Sequence, residues 1–446
     1  MKVVIIGAVA GGMSTAAKLK RNLKENVEVV VYEKGNEVSY GACGLPFYVS
    51  DIIKDETTLF ARTVEQFIES GIDLHVYHEV VSVDSEQKTV TVKNLKNNEE
   101  SVNNYDVLVI ASGARVNRAG ILDVSADNYF GVRSVNDAKR IKELLQSETV
   151  KEVAVIGGGF IGLEMLEAIH HYGKKASLIQ REERIFIALD EDITDKMQSI
   201  IEDKGVSVYT NARILKYNKE DNKITSLEVE IDGVQKTINA QLVLNCAGII
   251  PNTEFINNID KAPNGAIKVN SNMETSIKGI YSAGDCSIMK SSITEEYVYA
   301  PLGTNANKQG RIIADIISGI EPKPFKLLHS TALKLFDYDV ASIGVTEAQA
   351  KAVGMNVKQH KVTANSYAGY YGKEQLDIKV LYETTTRKIV GVQCIGQGTV
   401  VPRANYYAIA IYAGLAVDQM GMLDLAYSPP FNGVWDAALI ASNTIK

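Results

Sequence analysis

The chain has 446 residues, enough for two or three domains that each bury their own core. Its net charge of −7 argues against a general binder of nucleic acid or acidic membranes, and no apolar run reaches the roughly 18 residues typical of a membrane span. Four cysteines in so long a chain do not form a disulfide scaffold, so we expect a reducing, cytoplasmic location.

The N-terminal segment predicts a strand, a glycine turn, a helix and a second strand. Residues 2–6 and 27–32 are apolar runs, and residues 14–23 between them are rich in helix formers. The turn reads Gly7-Ala-Val-Ala10-Gly11-Gly12, with valine in place of the middle glycine of a G-x-G-x-x-G motif. Glu33 ends the second strand, where an acidic side chain can accept hydrogen bonds from ribose hydroxyls. We therefore predict a dinucleotide-binding unit here.

The same order of elements returns in the middle of the chain. Residues 153–156 and 176–179 are again strand-like, and residues 164–172 predict a helix. The turn Gly157-Gly-Gly159-Phe-Ile-Gly162 satisfies the full G-x-G-x-x-G spacing. Its first glycine permits the turn, its second lets the backbone approach a pyrophosphate, and its third packs helix on strand. We therefore predict a second dinucleotide-binding unit here.

The residues after the second unit's second strand bear on the choice of nucleotide. Gln180 is neutral, whereas an acidic residue there would favour NADH by accepting both ribose hydroxyls. Arg181 and Arg184 could receive the 2′-phosphate of NADPH, but Glu182 and Glu183 lie beside them and could offset their charge. The balance favours NADPH slightly and leaves use of both nucleotides open.

Further strands and a boundary complete the prediction of elements. A buried-type strand at 107–111 follows the first unit, and a comparable strand at 241–247 follows the second and suggests a return of the chain to the first domain. Pro322 and Pro324 mark a boundary after the helical stretch 307–317. The remainder mixes strands and helices, as in a separate α+β domain. The predicted elements there are strands at 377–382 and 389–395 and a helix at 405–413.

Cys43, in Ser39-Tyr-Gly-Ala-Cys43-Gly-Leu-Pro-Phe-Tyr48, has no cysteine close by in sequence. The other cysteines, Cys246, Cys286 and Cys394, lie far downstream. An enzyme that stores electrons in an internal disulfide needs two nearby thiols. A solitary thiol can instead bond the sulfur of a small molecule or oxidise to a sulfenic acid.

Three further segments complete a resemblance to the pyridine nucleotide–disulfide oxidoreductases. Residues 275–285 resemble the segment by which these flavoproteins hold the flavin's ribityl chain through an aspartate, here Asp285. Ile110-Ala111-Ser-Gly113 and Cys246-Ala-Gly248 resemble their linker turns. The resemblance implies FAD in the first unit and NADPH, NADH or both in the second. The cofactor-binding residues that it implies are Gly7, Ala10, Gly11, Gly12, Glu33, Ala111 and Asp285 for FAD, and Gly157, Gly159, Gly162 and Arg181 for the nucleotide.

The expected fold class is α/β, with two Rossmann-like dinucleotide-binding domains in a glutathione-reductase-like arrangement and a C-terminal α+β dimerisation domain. The expected FAD-binding domain is discontinuous and takes residues 1–112 and 243–320. The NAD(P)H-binding domain takes 113–242, and the dimerisation domain takes 321–446.

Within that family, the Cys43 segment resembles the single-cysteine branch of coenzyme A-disulfide reductases, persulfide reductases, NADH oxidases and NADH peroxidases. Glutathione-reductase-like members carry a second cysteine where Tyr48 stands, so that subfamily is excluded. The first glycine turn looks like that of the coenzyme A branch. Oxidases and peroxidases typically place at position 10 a histidine that handles oxygen intermediates, and this chain has alanine there.

The resemblance to the coenzyme A branch also implies substrate contacts and a dimer. Its first helix meets the phosphates of coenzyme A, and Lys18 and Arg21 share one face of that helix here. The substrate-binding residues that we expect are Ser14, Lys18, Arg21 and Ser39. The segments around Tyr367 and Tyr427 resemble two C-terminal segments whose tyrosines reach across a homodimer interface toward the partner's cysteine, so both are candidate catalytic residues with Cys43.

The expected activity is reduction of coenzyme A disulfide, or of a coenzyme A persulfide or polysulfide, by NAD(P)H through FAD and Cys43. One alternative is an NADH oxidase that reduces oxygen through a Cys43 sulfenic acid. A second alternative is a slow redox sensor that binds FAD. No Cys or His spacing resembles a zinc site, and we expect no metal, nucleic acid or membrane partner.

Overall fold

The computed structural model describes residues 1–117 and 125–446. The first glycine turn belongs to a five-stranded sheet in which every neighbouring pair is parallel. Its strands are mostly buried on both faces, as expected when helices cover a parallel sheet. In spatial order they are Ile280–Ser282, Val107–Ile110, Lys2–Ile6, Glu28–Glu33 and Asp73–Val76.

The helices Ala10–Leu23 and Gly303–Ile317 pack closely against each other in the first unit. A Cβ added at Gly310 would lie 2.4 Å from the carbonyl oxygen of Gly11. Thr15 fastens the crossing, since its hydroxyl donates to the carbonyls of Gly11 at 2.9 Å and Gly310 at 3.0 Å. The first helix is therefore held at the end where the glycine turn meets it.

A second five-stranded parallel sheet carries the second glycine turn. Its strands in spatial order are Ser207–Tyr209, Lys175–Ile179, Glu152–Ile156, Leu242–Asn245 and Tyr129–Gly131. The sequence suggested that the strand Leu242–Asn245 returns the chain to the first domain. That prediction is wrong, because this strand pairs directly with Glu152–Ile156 of the second sheet. It is fully buried, and its apolar side chains complete the second sheet. The expected boundary at residue 243 falls inside it.

Each parallel sheet is accompanied by an antiparallel three-stranded meander. The strands of the first meander are His78–Asp84, Thr89–Asn94 and Glu100–Asn104, and those of the second are Ala212–Glu220, Lys223–Ile231 and Val234–Asn239. The repeat seen in the glycine turns thus extends to a whole supersecondary unit. The expected fold class is confirmed.

The C-terminal region forms a five-stranded antiparallel sheet. Its strands in spatial order are Thr331–Leu335, Tyr338–Gly344, Ile389–Gly396, Gln375–Glu383 and Val357–Asn365. The helices Val400–Ala413 and Ala437–Asn443 pack on this sheet around a buried apolar cluster. Residues 422–435, by contrast, expose large apolar side chains, among them Met422, Phe431, Val434 and Trp435. Such a patch is typical of a protein–protein interface.

The remaining elements are short or connect these layers. The other helices are Leu45–Val49, Val64–Glu69, Val135–Gln146, Phe160–His171, Glu191–Asp203, Glu347–Ala352 and Val417–Met420. The other strands are Ala114–Val116, Ile249–Pro251, Ile267–Lys268, Ser287–Lys290 and Tyr297–Val298. No helix within the described ranges combines the length and apolar character that crossing a bilayer requires.

Ion pairs attach the second unit to the C-terminal sheet. The ammonium group of Lys379, which is largely buried, lies 2.9 Å from Asp190 and 2.7 Å from Asp192. Lys196 of the second unit pairs in turn with Asp377 of the sheet at 3.0 Å. These contacts fix the position of the nucleotide-binding unit relative to the C-terminal domain.

Candidate active site

The first glycine turn approaches the neighbouring strand too closely for side chains. Gly7 has φ +99°, and a Cβ there would lie 2.2 Å from the carbonyl oxygen of Ala111. A Cβ at Gly12 would lie 1.9 Å from the carbonyl oxygen of Gly7. The helix then begins at Ala10, so its free N–H groups are available to an anion at the turn. This geometry fits a bound pyrophosphate.

Glu33 closes the same turn from the end of the second strand. Its carboxylate accepts the N–H of Ala8 at 2.8 Å through one oxygen and the N–H of Gly35 at 2.7 Å through the other. These bonds hold the carboxylate beside the turn, where the ribose of a dinucleotide would lie. The residues present therefore fit the adenosine end of FAD.

The second glycine turn repeats the close approaches of the first turn, and its middle glycine borders open space. Gly157 has φ +99°, and a Cβ there would lie 2.5 Å from the carbonyl oxygen of Cys246. A Cβ at Gly162 would lie 2.0 Å from the carbonyl oxygen of Gly157. A Cβ at Gly159 would meet no atom of the described residues within 4 Å. The middle glycine thus borders open space, as a turn that admits a pyrophosphate requires.

Gln180 occupies the position in the second unit that Glu33 holds in the first. Its side-chain oxygen accepts the N–H of Gly158 at 2.8 Å, the counterpart of the bond from Ala8 to Glu33. Arg181 is exposed and pairs with Glu182 at 2.7 Å. The Nε of Arg184 is buried and has no hydrogen-bond partner in the described part of the chain. The terminal nitrogens of Arg184 each lie 3.5 Å from a carboxylate, that of Glu183 and that of Glu191.

Asp285 lies in the turn Gly284–Cys286 and pairs with Arg133. The sequence did not indicate Arg133 as a site residue. Both terminal guanidinium nitrogens of Arg133 lie close to one Asp285 oxygen, at 3.3 and 3.4 Å. Tyr299 donates its hydroxyl to the backbone carbonyl of Asp285 at 2.7 Å. Arg133 belongs to no recognisable motif, since it precedes an ordinary helix, and only folding reveals its position.

The segment that carries Cys43 is hydrogen-bonded to the first glycine turn and to the backbone of Arg133. Cys43 lies in the turn Ala42–Gly44, which leads into the helix Leu45–Val49, and its residue is exposed. The N–H of Ser39 donates to the carbonyl of Ala8 at 2.8 Å, and the hydroxyl of Tyr40 donates to the carbonyl of Arg133 at 2.9 Å. The solitary thiol is therefore fixed between the first glycine turn and the Arg133–Asp285 pair.

The electrostatic surroundings of Cys43 within one chain favour the thiol over the thiolate. Partial desolvation of the thiol and the carboxylates of Glu164 and Asp285 raise the pKa of Cys43, and a backbone hydrogen bond and Arg133 oppose this only in part. Burial, together with the charge of Glu167, raises the pKa of Glu164 to about 7. Glu164 therefore gains its charge near neutral pH, and above that pH it disfavours the Cys43 thiolate further.

Replacement of Glu164 by glutamine is expected to increase the rate at which iodoacetamide alkylates Cys43, because the thiolate reacts and a neighbouring negative charge is removed. The gain should be about two- to fivefold at pH 8 and should vanish near pH 6, where Glu164 is already mostly neutral. Intact-mass measurement of the alkylated enzyme over time would follow this reaction.

The variant Glu167→Gln is the matched control, because it leaves the carboxylate of Glu164 in place. It should lower the pKa of Glu164, and its alkylation rate at pH 8 should stay close to the wild-type rate. Identical alkylation rates for Glu164→Gln and wild type from pH 6 to 9 would contradict the assigned influence of Glu164.

The expected substrate-binding residues of the first helix differ in their surroundings. The hydroxyl of Ser14 donates to Asn307 at 2.6 Å, and the ammonium of Lys18 pairs with Asp315 at 2.5 Å, both on the helix Gly303–Ile317. Arg21 is exposed. Arg21 is thus presented to solvent, whereas the charge of Lys18 is already paired.

Two exposed tyrosines meet in the C-terminal region. The hydroxyls of Tyr427 and Tyr370 lie 3.1 Å apart, and that hydrogen bond raises the pKa of Tyr427. The ring of Tyr367 instead contacts that of Tyr371, with 6.0 Å between their centroids. Tyr427 therefore shares its hydroxyl contact with Tyr370 rather than with Tyr367. Because three tyrosines lie within five positions, the sequence could not show which of them contacts Tyr427.

Comparison with known families accounts for almost the whole chain. Residues 1–310 match the family "Pyridine nucleotide-disulphide oxidoreductase", and residues 330–439 match its dimerisation domain. The chain belongs to the pyridine nucleotide-disulphide oxidoreductases. Membership implies FAD and NAD(P)H as cofactors, in keeping with the two glycine turns. The dimerisation domain suggests a homodimer, for which residues 422–435 offer an apolar surface.

Three individual proteins show which enzymes this chain is similar to. A coenzyme A disulfide reductase of Staphylococcus epidermidis is 31% identical over 442 residues, covering 97% of this chain and 96% of its own. A persulfide reductase of A. fulgidus is 32% identical with a TM-score of 0.92, covering 99% of this chain and 82% of its own. A water-forming NADH oxidase of Lactobacillus brevis is 26% identical with a TM-score of 0.91, covering 99% and 97%.

The described residues hold no group of three or more His, Cys, Asp or Glu side chains that could bind a metal ion.

Proposed function

We propose that this oxidoreductase reduces coenzyme A disulfide, or the persulfide of coenzyme A, with electrons from NAD(P)H and through Cys43. The observation that carries the proposal is the position of Cys43, exposed between the first glycine turn and the Arg133–Asp285 pair. All four cysteines lie in the described ranges, each is free, and the other three are not exposed. A thiol without a second thiol to pair with is free to form a mixed disulfide with a substrate sulfur.

The proposed reaction uses Cys43 as the nucleophile. Its thiolate attacks one sulfur of coenzyme A disulfide, so that a Cys43–coenzyme A mixed disulfide forms and one coenzyme A thiolate leaves and takes a proton. When bound, FAD accepts a hydride from NAD(P)H and makes its electron pair available to sulfur. Cleavage of the mixed disulfide by two electrons regenerates the Cys43 thiolate and releases the second coenzyme A. In total, NAD(P)H, one proton and one disulfide give NAD(P)⁺ and two thiols.

The surroundings of Cys43 within one chain disfavour the thiolate. Partial desolvation of the thiol and the carboxylates of Glu164 and Asp285 raise the pKa of Cys43, and attack requires the anion. We therefore assign part of the activation to hydroxyl groups from a second protomer, with Tyr427 and Tyr370 as the pair. Both are exposed, Tyr427 lies within the apolar segment 422–435, and Tyr370 contacts it, which suits hydroxyls presented across an interface. They would donate hydrogen bonds to the partner's Cys43 and to the leaving coenzyme A sulfur.

The charged end of coenzyme A would lie along the first helix. Ser39 bonds the Cys43 segment to the glycine turn from which that helix begins, so helix and thiol share one side of the first unit. Arg21 is the exposed cation of this helix among the expected residues, and Lys18 would serve a phosphate only by leaving Asp315.

Oxygen reduction through a Cys43 sulfenic acid is the second candidate, because a water-forming NADH oxidase has the same fold. Position 10 argues against it, since Ala10 offers no side chain that could handle an oxygen intermediate.

The mass of the intact, non-reduced protein and a comparison of acceptors separate these candidates. We expect Cys43 to carry an adduct of coenzyme A mass, and NAD(P)H consumption with coenzyme A disulfide to exceed oxygen-driven consumption about tenfold or more. One or more added oxygen atoms on Cys43, with one molecule of oxygen consumed per two molecules of NADH, would replace the proposal by the oxidase. Turnover below about 0.1 s⁻¹ with every acceptor would favour a redox sensor.

A further inference from the structure

Among the described residues, the largest fully buried side chain is charged. Arg403 lies in the first turn of the helix Val400–Ala413 and is 1% exposed. Its guanidinium pairs with the buried carboxylate of Asp436, with Nε–oxygen distances of 3.1 and 3.2 Å. Loss of one partner from a buried pair leaves an uncompensated charge, so such a pair persists only where its geometry is well satisfied.

The remaining guanidinium donors of Arg403 bond to three separate segments. One terminal nitrogen donates to the carbonyl and hydroxyl oxygens of Thr399. The other donates to the carbonyl of Ser366 at 2.8 Å and to that of Phe431 at 3.3 Å. Ser366 begins the segment that carries Tyr370, and Phe431 ends the segment that carries Tyr427. A single planar group thus joins the two tyrosine segments.

Asn432 extends this link to the backbone on both sides of Tyr427. Its side-chain nitrogen donates to Asp436 at 3.3 Å and to the carbonyl of Ala426 at 2.9 Å. Its side-chain oxygen accepts the N–H of Ser428 at 3.3 Å. Asp436 in turn caps the final helix, Ala437–Asn443, by accepting the N–H of Ala438 at 2.8 Å. The Arg403 cluster, defined as Arg403, Asn432 and Asp436, therefore connects two helices to both tyrosine segments.

We propose that the Arg403 cluster is the positioning device that holds the hydroxyls of Tyr370 and Tyr427 together for the sulfur chemistry at Cys43. This inference rests on the proposed function and adds residues that touch neither cofactor nor substrate. Tyr370 and Tyr427 are exposed side chains in loops, and their hydroxyl contact at 3.1 Å needs a fixed backbone on each side. The buried charge supplies that backbone, because a planar guanidinium bonds several carbonyls in fixed directions.

The test uses the full-length, FAD-loaded enzyme and the variant Asn432→Ala, which leaves the Arg403–Asp436 pair intact. The matched control is Asn443→Ala, since Asn443 also bonds a backbone carbonyl, that of Gly421 at 2.8 Å, but contacts neither tyrosine segment. Amide hydrogen exchange should rise in 426–431 in Asn432→Ala, where the bonds to Ala426 and Ser428 are lost, and only around residue 421 in the control. This readout needs no acceptor.

Kinetics in two backgrounds then test whether the effect acts through the tyrosine. Asn432→Ala should lower kcat/KM for coenzyme A disulfide about tenfold when Tyr427 is present, and less than about twofold in a Tyr427→Phe background, while reduction by NADPH keeps its wild-type rate. An equal loss in both backgrounds, or unchanged exchange in 426–431, would overturn the proposal.

A second variant guards against misfolding of the first. Arg403→Lys retains the charge but offers three donors in place of five, which weakens the bonds to Ser366 and Phe431. Exchange should therefore rise in both 366–371 and 426–431, with the same dependence of kcat/KM on Tyr427. If the wild-type enzyme does not reduce coenzyme A disulfide, the proposed function fails by itself. Hydrogen exchange then still decides whether the cluster holds both segments.

Discussion

Replacement of Cys43 by serine is expected to lower turnover with coenzyme A disulfide more than about a thousandfold, while FAD remains bound and is still reduced by NADPH. A serine hydroxyl neither forms a mixed disulfide nor ionises near neutral pH. No other thiol can take over, because burial raises the pKa of Cys246 and of Cys394 to about 12, and Cys286 is buried. Anaerobic stopped-flow reduction and steady-state turnover would measure the two half-reactions separately.

Cys394→Ala is the control for this experiment. Cys394 lies buried in the strand Ile389–Gly396 of the C-terminal sheet, so its loss should leave both half-reactions near their wild-type rates. A Cys43→Ser enzyme that reduced coenzyme A disulfide at the wild-type rate would exclude the proposed chemistry.

Replacement of Gln180 by glutamate is expected to shift the nucleotide preference toward NADH, with the ratio of kcat/KM for NADPH to that for NADH falling about 30- to 100-fold. A carboxylate there would accept both ribose hydroxyls of NADH and repel the 2′-phosphate of NADPH. The change should not disturb the fold, because Glu33 makes the equivalent bond to the first glycine turn in this same chain. Steady-state kinetics with both nucleotides would measure the ratio.

Gln359→Glu introduces the same charge on an exposed position of the C-terminal sheet and serves as the control. Its nucleotide ratio should equal that of the wild type. If Gln180→Glu left the ratio unchanged, or raised it, the assignment of Gln180 to the ribose side would be wrong.

Local pattern sufficed to predict the two nucleotide-binding units. Residues 2–33 and 152–179 show their strand, turn, helix and strand in sequence, because each element is specified by neighbouring residues. The strand Leu242–Asn245 was predicted correctly but was placed in the wrong sheet. Its apolar side chains fit any buried parallel strand, and only its pairing with Glu152–Ile156 shows where it belongs.

Side chains that act through distant contacts could not be predicted. Arg133 reaches Asp285 across 152 positions, and Arg403 gathers carbonyls from segments about 30 residues away on either side. Neither carries a local motif. Likewise, Tyr367 and Tyr370 look equivalent in the sequence, and only the folded backbone brings one of them to Tyr427. Chain-distant contacts of this kind require the tertiary fold.

The low accessibility of Cys246, Cys286 and Cys394 has a consequence for oxidative stress. Peroxides attack thiolates, and a shielded thiol with a strongly raised pKa is almost never ionised. Damage during an oxidant burst is therefore channelled to Cys43, whose sulfenic acid a cellular thiol can repair. The enzyme should lose its activity while it stays folded, and it should regain that activity without new protein synthesis.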